Sequence, residues 1–184
     1  MSAHTPSAAL HTSAQVRAID ARAVRRGIDA FELMRRAAAA AFECLRRRWP
    51  EARRIGLLAG SGNNGGDAFL LGERALREGL AVEAVALAAR ADGDAARARA
   101  MFIAAGGRVV PADAGGALID ADVHVDGLFG TGLDRPVHGA AAALIGQLHA
   151  CGRPVLALDV PSGLDADTGA RLGMTVRAAA TIGF

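Results

Sequence analysis

The chain has 184 residues, 52% of them hydrophobic, and a formal net charge of +2. That is one folded domain with a real core, not a disordered chain and not two comfortable domains, and a charge of +2 by itself points to neither nucleic acid nor a membrane surface. All 21 Lys+Arg residues are arginine, so a Schiff-base lysine and a P-loop lysine are both excluded.

The first dozen residues, Ser-, Ala-, His- and Thr-rich, do not read as a signal peptide, and no stretch is long enough to span a bilayer. Thr12 or Ser13 can cap a helix through Val16, Ile19 and Val24 that Gly27 ends. Asp29 can cap a second helix over 30–49, anchored by Phe31, Leu33, Met34, Phe42 and Leu45, with Arg46–Arg48 at its C-terminus. Cys44 and Cys151 are two lone thiols, which suit a reducing cytoplasm. The five histidines have no zinc-ligand spacing, and His124, in the apolar run Val123–Leu128, reads as a packed strand residue.

From Arg54 the pattern alternates. Strands are predicted at 55–59, 82–87, 108–110, 123–128 and 155–158, and helices at 68–78, 93–105 and 140–151. Short apolar strands alternating with helices of this length imply a Rossmann-like α/β fold: three αβα layers on a mostly parallel sheet, behind two leading helices. The chain stops at Thr181-Ile182-Gly183-Phe184, which reads as a strand just begun. The expectation is a domain over 10–184 whose C-terminal part is missing and whose last strand is left uncovered.

In an open α/β sheet, ligands bind beyond the carboxyl ends of the strands. Three loops leave such ends. The first, Gly60-Ser61-Gly62-Asn63-Asn64-Gly65-Gly66-Asp67, has backbone free to approach a phosphate and a helix dipole after Asp67; alternatively it is a plain turn with Asp67 as an N-cap. The second runs from Asp126, a carboxylate that needs a partner at the end of an apolar strand, through Gly130, Thr131, Gly132, Leu133, Asp134, Arg135 and Pro136, with Arg135 able to fork onto phosphate. The third, Asp159-Val160-Pro161-Ser162-Gly163-Leu164-Asp165, puts an acid at the end of the most apolar strand, or forms an Asx-type turn. Asn64, Asp126 and Ser162 together offer hard oxygen donors of the kind that suit a hard cation rather than zinc or copper.

These three motifs, in this order, resemble the NAD(P)H-hydrate epimerase family, and Gln15, Arg17, Gly27, Leu33 and Met34 resemble its leading helices. Ala68 stands where that family usually has Gly, Asp20 where Glu is common, and Ala38 where Gly is frequent. The resemblance implies interconversion of the R and S epimers of NADHX and NADPHX, hydrated cofactors with a hydroxyl at C6 of the reduced nicotinamide ring. It implies a substrate site of Asn63, Asn64, Gly65, Gly66, Asp67, Gly130–Pro136 and Asp159, a potassium ion on Asn64, Asp126 and Ser162, and Asp159 as the acid/base group. A homodimer in the cytoplasm is expected, with a dehydratase domain or partner enzyme alongside, and neither nucleic acid nor membrane as partner. The rival reading is a non-catalytic scaffold of the same fold, against which Asp126, Asp159 and Ser162 all stand intact.

Overall fold

The computed structural model describes residues 11–88, 92–112, 118 and 120–184; residues 1–10, including Leu10 and most of the leading stretch considered above, lie outside them. Helix α1 (Ser13–Arg25) starts at the Thr12 cap, whose hydroxyl accepts from the Gln15 N–H while the Gln15 side chain accepts from the Thr12 N–H, a reciprocal capping box. Helix α2 (Ala30–Arg48) is capped by Asp29 and buries Phe31, Met34, Ala38, Ala41, Phe42 and Leu45, spaced to form one helical stripe.

The remaining elements are β1 (Arg54–Ala59), α3 (Asn63–Arg77), β2 (Ala81–Ala86), α4 (Gly93–Ala104), β3 (Arg108–Pro111), β4 (Val123–Gly127), α5 (Gly139–Cys151), β5 (Val155–Leu158) and β6 (Ala180–Ile182). The sheet order is β3-β2-β1-β4-β5-β6 and every pairing is parallel. This is the doubly wound order, and its switch point falls between β1 and β4.

The central strands are apolar on both faces because helices cover both. Ile55, Leu57, Ala59, Val82, Ala84, Val123, Val125, Leu156 and Leu158 pack under α2, α3 and α4. Leu58, Val85 and Val155 pack on the other face against Leu144, Ile145 and Leu148 of α5. His124 is buried in β4, as its apolar surroundings indicate.

Two elements differ from their sequence expectation by more than one residue at an end. Helix α3 begins at Asn63, not Ala68, and its N-cap is Gly62, so Asp67 is not a cap. The Asn-Asn-Gly-Gly run, unfavourable for a helix in isolation, is helical here because its glycines let neighbours approach: a Cβ on Gly66 would meet the Met34 sulfur at 2.8 Å and Ala95 Cα at 3.2 Å. The last strand is Ala180–Ile182 rather than 181–184, set by pairing of Leu156, Ala157 and Leu158 with Ala180, Thr181 and Ile182.

The turn out of β1 depends on Gly60. Its N–H donates to the Gly127 carbonyl at 2.9 Å, extending the β1–β4 ladder by one bond. A Cβ there would collide with the backbone carbonyl of Leu128, which cannot swing aside like a side chain. Gly60→Ala is expected to lower unfolding free energy by at least ~2 kcal/mol, whereas Gly132→Ala, with nothing within 4 Å of the added carbon, should stay within ~0.5 kcal/mol of the parent. Urea denaturation of both variants beside the parent measures this, and equal midpoints would refute the contact as described.

Candidate active site

The loops after β1, β4 and β5 meet at the switch point through side chains rather than by proximity alone. Asp126, second to last in β4, has no exposed surface. Its Oδ2 accepts from the Ser162 N–H at 2.8 Å, and its Oδ1 accepts from the Ser162 hydroxyl at 2.6 Å and the Leu128 N–H at 3.2 Å. Burial pushes its carboxyl up to about 6, against the downward pull of the Ser162 and Leu128 hydrogen bonds. Ser162 Oγ also accepts from the Phe129 N–H at 2.9 Å, which ties the second loop to the third.

Asn64, in the first turn of α3, ties in the first loop. Its amide Nδ2 donates to the Phe129 carbonyl at 2.9 Å and the Leu158 carbonyl at 3.3 Å. Its Oδ1 is buried and accepts nothing from the protein. A buried oxygen without a donor is costly, and this atom keeps its full accepting capacity for a bound group. Oxygen donors from Asn64, Asp126, Ser162 and the Phe129 carbonyl gather within one small volume. With a single charged member, that set suits a monovalent hard cation better than a divalent one. Among the described residues, no group of three or more His, Cys, Asp or Glu is placed to hold a metal ion, so the oxygen set rests on amide, hydroxyl and carbonyl groups around one carboxylate.

Asp159 follows β5 directly. It is the one non-glycine residue with positive φ, 65°, among those described. Its N–H donates to the Ile182 carbonyl at 2.7 Å, and its Oδ2 accepts from the Thr131 N–H at 2.7 Å. Gly130 lies so close that a Cβ on it would stand 2.5 Å from the same Oδ2. The Asx-type turn of the third loop belongs to Asp165 instead, whose Oδ1 accepts from Asp167 N, Thr168 N and the Thr168 hydroxyl.

The expected substrate residues divide into two groups. Asn64, Gly130, Thr131 and Asp159 are held together by these contacts, at the N-terminus of α3, where the first N–H groups have no intrahelical acceptor. Leu133, half-buried, and the exposed Asp134, Arg135 and Pro136 lead away along the rim. Asn63 is exposed at the helix start, while Gly65 and Gly66 are buried, and what they accommodate is protein: the Gly60 backbone against Gly65, and Met34 with Ala95 against Gly66.

Asp67 was expected among the binding residues, but nothing in the sequence indicates its electrostatic setting. It is 9% exposed. Desolvation, then the charge of Asp159, then that of Asp20 on α1, push its carboxyl up to about 8. Asp20 is brought there by α1, whose first residue, the buried Ser13, donates through N–H and hydroxyl to Asp167 Oδ1 at 2.6 and 3.0 Å. That contact joins residues 154 positions apart, and no sequence signal announces it.

The linkage to stability has a definite sign. A carboxyl of ordinary value 3.8 in the unfolded chain and about 8 when folded contributes stability that is complete below pH ~4 and lost as pH rises through 8. In potassium-free buffer the melting temperature is expected to fall between pH 5 and pH 8, and Asp67→Asn should flatten that slope. An unchanged slope in the variant would contradict the buried, acid-facing setting of Asp67.

Comparison with known proteins identifies the family. A family model described as YjeF-related protein N-terminus matches residues 30–184. The NAD(P)H-hydrate epimerase of Limosilactobacillus fermentum is 37% identical over 174 residues, covering 94% of this chain and 84% of that protein. The NAD(P)H-hydrate epimerase of Bordetella pertussis is 44% identical over 179 residues, covering 92% and 75%. The bifunctional NAD(P)H-hydrate repair enzyme Nnr of Coxiella burnetii is 39% identical, and this chain spans 36% of it. A crystal structure of the yeast protein ynu0 superposes with a TM-score of 0.84 at 18% identity, over 95% of this chain and 79% of that one, a likeness of fold. The chain therefore belongs to the family of YjeF-related protein N-terminal domains.

Proposed function

We propose that this chain is an NAD(P)H-hydrate epimerase, an isomerase that interconverts the R and S epimers of NADHX and NADPHX. Relatives covered along most of their length carry that name, and the polar cluster at the switch point has the parts the reaction asks for. The observation that carries the reading is the convergence of Asn64, Asp126, Thr131, Asp159 and Ser162 from three loops on one crevice. A scaffold would need none of these converging polar groups.

In this reading Asp159 is the acid/base group at C6 of the hydrated ring. The Thr131 N–H fixes its Oδ2 and leaves Oδ1 to the reacting oxygen. The free N–H groups at the start of α3 and the exposed Arg135 at the rim receive the anionic part of the dinucleotide. A potassium ion on Asn64 Oδ1, Asp126 and Ser162 completes the proposal; what it supplies is a fixed positive charge beside an anionic ligand. The donor set fits it, because Asn64 Oδ1 has no protein partner and Asp126 has only neutral ones. A homodimer and a cytoplasmic location belong to the same proposal; no helix among the described residues is long and apolar enough to cross a membrane.

Asp159→Asn keeps size and removes the base, so epimerisation is expected to fall roughly 100-fold or more. Chemically prepared R-NADHX followed by chromatography reads this, and near-parental turnover in a folded variant removes Asp159 from the mechanism. For the cation, the parent is expected to bind NADHX more tightly in potassium than in tetramethylammonium, with Asp126→Ala losing most of that difference. Equal affinity of the parent in both buffers would refute the potassium site.

A further inference from the structure

We propose that Asp67 is the second proton-transfer group of this site: it delivers the proton that releases the C6 oxygen as water, while Asp159 takes a proton from the water that replaces it. The inference rests on the epimerase reading above and assigns a role to a side chain that reading left as lining.

The two carboxylates come from different elements, close enough for the charge of one to act on the other, and sit in different settings. Asp159 comes from the end of β5 and is held as an acceptor by the Thr131 N–H at 2.7 Å. Asp67 comes from the second turn of α3, is 9% exposed, and among the described residues has neither a hydrogen-bond donor nor an arginine partner. The charged groups acting on it are both acids, Asp159 and Asp20 of α1. A carboxyl in that position is satisfied by carrying its own proton, which makes it a donor rather than an acceptor. Asn64, three residues earlier and so on the same side of the helix, has its buried Oδ1 equally without a protein partner. Asn64 Oδ1 and the Asp67 carboxyl thus lie on one side of α3, neither with a hydrogen-bond partner in the protein. Burial, with the two neighbouring acids, raises the Asp67 carboxyl to about 8, so the proton is in place at neutral pH.

The chemistry balances without oxidant or reductant. The Asp67 proton passes to the C6 hydroxyl oxygen, the C6–O bond breaks, water departs, and the N1 lone pair forms an N1=C6 double bond. Water then adds to the opposite face of C6, the N1=C6 pair returns to N1, and the surplus proton goes to Asp159. One water leaves, one enters, and one proton moves from Asp67 to Asp159; the reverse epimerisation starts from that swapped state.

The test uses the full chain in potassium buffer with R-NADHX. Asp67→Asn is expected to lose roughly 100-fold in kcat with KM changed less than about threefold, a split that loss of binding would not produce, in a variant whose circular dichroism matches the parent's. The parent rate should decline above pH ~8 as Asp67 gives up its proton, and the residual rate of the variant should lack that limb. In 18O-labelled water the parent should place one labelled oxygen at C6 per turnover, beyond an enzyme-free control, a measurement that holds even where the variant fails to fold. Asp67→Asn with parental kcat and pH profile, or product free of label, overturns the proposal. Loss in Asp159→Asn without loss in Asp67→Asn overturns it alone. Absence of any epimerisation by the parent removes the underlying reading instead.

Discussion

The fully buried carboxylate of Asp126 sits at the end of the central strand β4, and the three loops of the crevice are organised around it. Ser162 supplies two of its three donors from the loop after β5, so the charge cannot be satisfied unless that loop folds back across β4. Once there, the Ser162 hydroxyl accepts from Phe129 N, fixing the start of the β4 loop, and the Phe129 carbonyl receives Asn64 from α3. Each of these inter-loop bonds depends on the one before. An ionised group with only neutral donors in a water-excluded site is expensive to hold, and that cost is what raises the Asp126 carboxyl.

Close backbone approach is the second constraint, and it explains the glycines better than ligand contact does. Gly60 meets the Leu128 carbonyl, Gly65 meets the Gly60 backbone, and a Cβ on Gly127 would stand 2.7 Å from the Ala68 side chain and 2.8 Å from the Asn64 carbonyl. These contacts place the first turn of α3 directly over the ends of β1 and β4. The departure at Ala68, where the resembled family usually has glycine, falls at this tight point, and the methyl is buried against Gly127. The glycine-rich loop therefore works mainly by letting three chain segments touch, and that contact positions the side chains of Asn64 and Asp67.

The layers, the parallel sheet and the crevice were legible because each follows from local pattern: apolar runs of strand length, helix spacing between them, and polar residues where strands end. The start of α3 was not, because Asn-Asn-Gly-Gly carries the local signature of a turn and becomes helical only through packing against Met34 and Ala95. Asp126 and Asp159 stood out in sequence as acids closing apolar strands, and Ser162 as a hydroxyl in the loop that follows. The unpaired Asn64 oxygen and the acid-facing position of Asp67 did not, since both depend on which distant groups surround them. The same holds for α1: its capping box is local and readable, while the contact of Ser13 with Asp167 that docks it is not.

Asp159 shows how the edge of the sheet reaches the crevice. A positive φ disfavours a residue with a Cβ, and aspartate tolerates it better than most but less well than glycine. Elsewhere among the described residues, every positive φ belongs to glycine. The conformation is held from both ends: Ile182 of β6 accepts the Asp159 N–H, and Thr131 of the β4 loop donates to its side chain. Glycine would meet the backbone requirement here at lower cost, so the turn alone does not account for the carboxylate. The strain is tolerable because β6 pairs alongside β5 and supplies its carbonyl at that register. The outermost strand, which buries little, thereby sets the direction in which the acid at the centre of the crevice points.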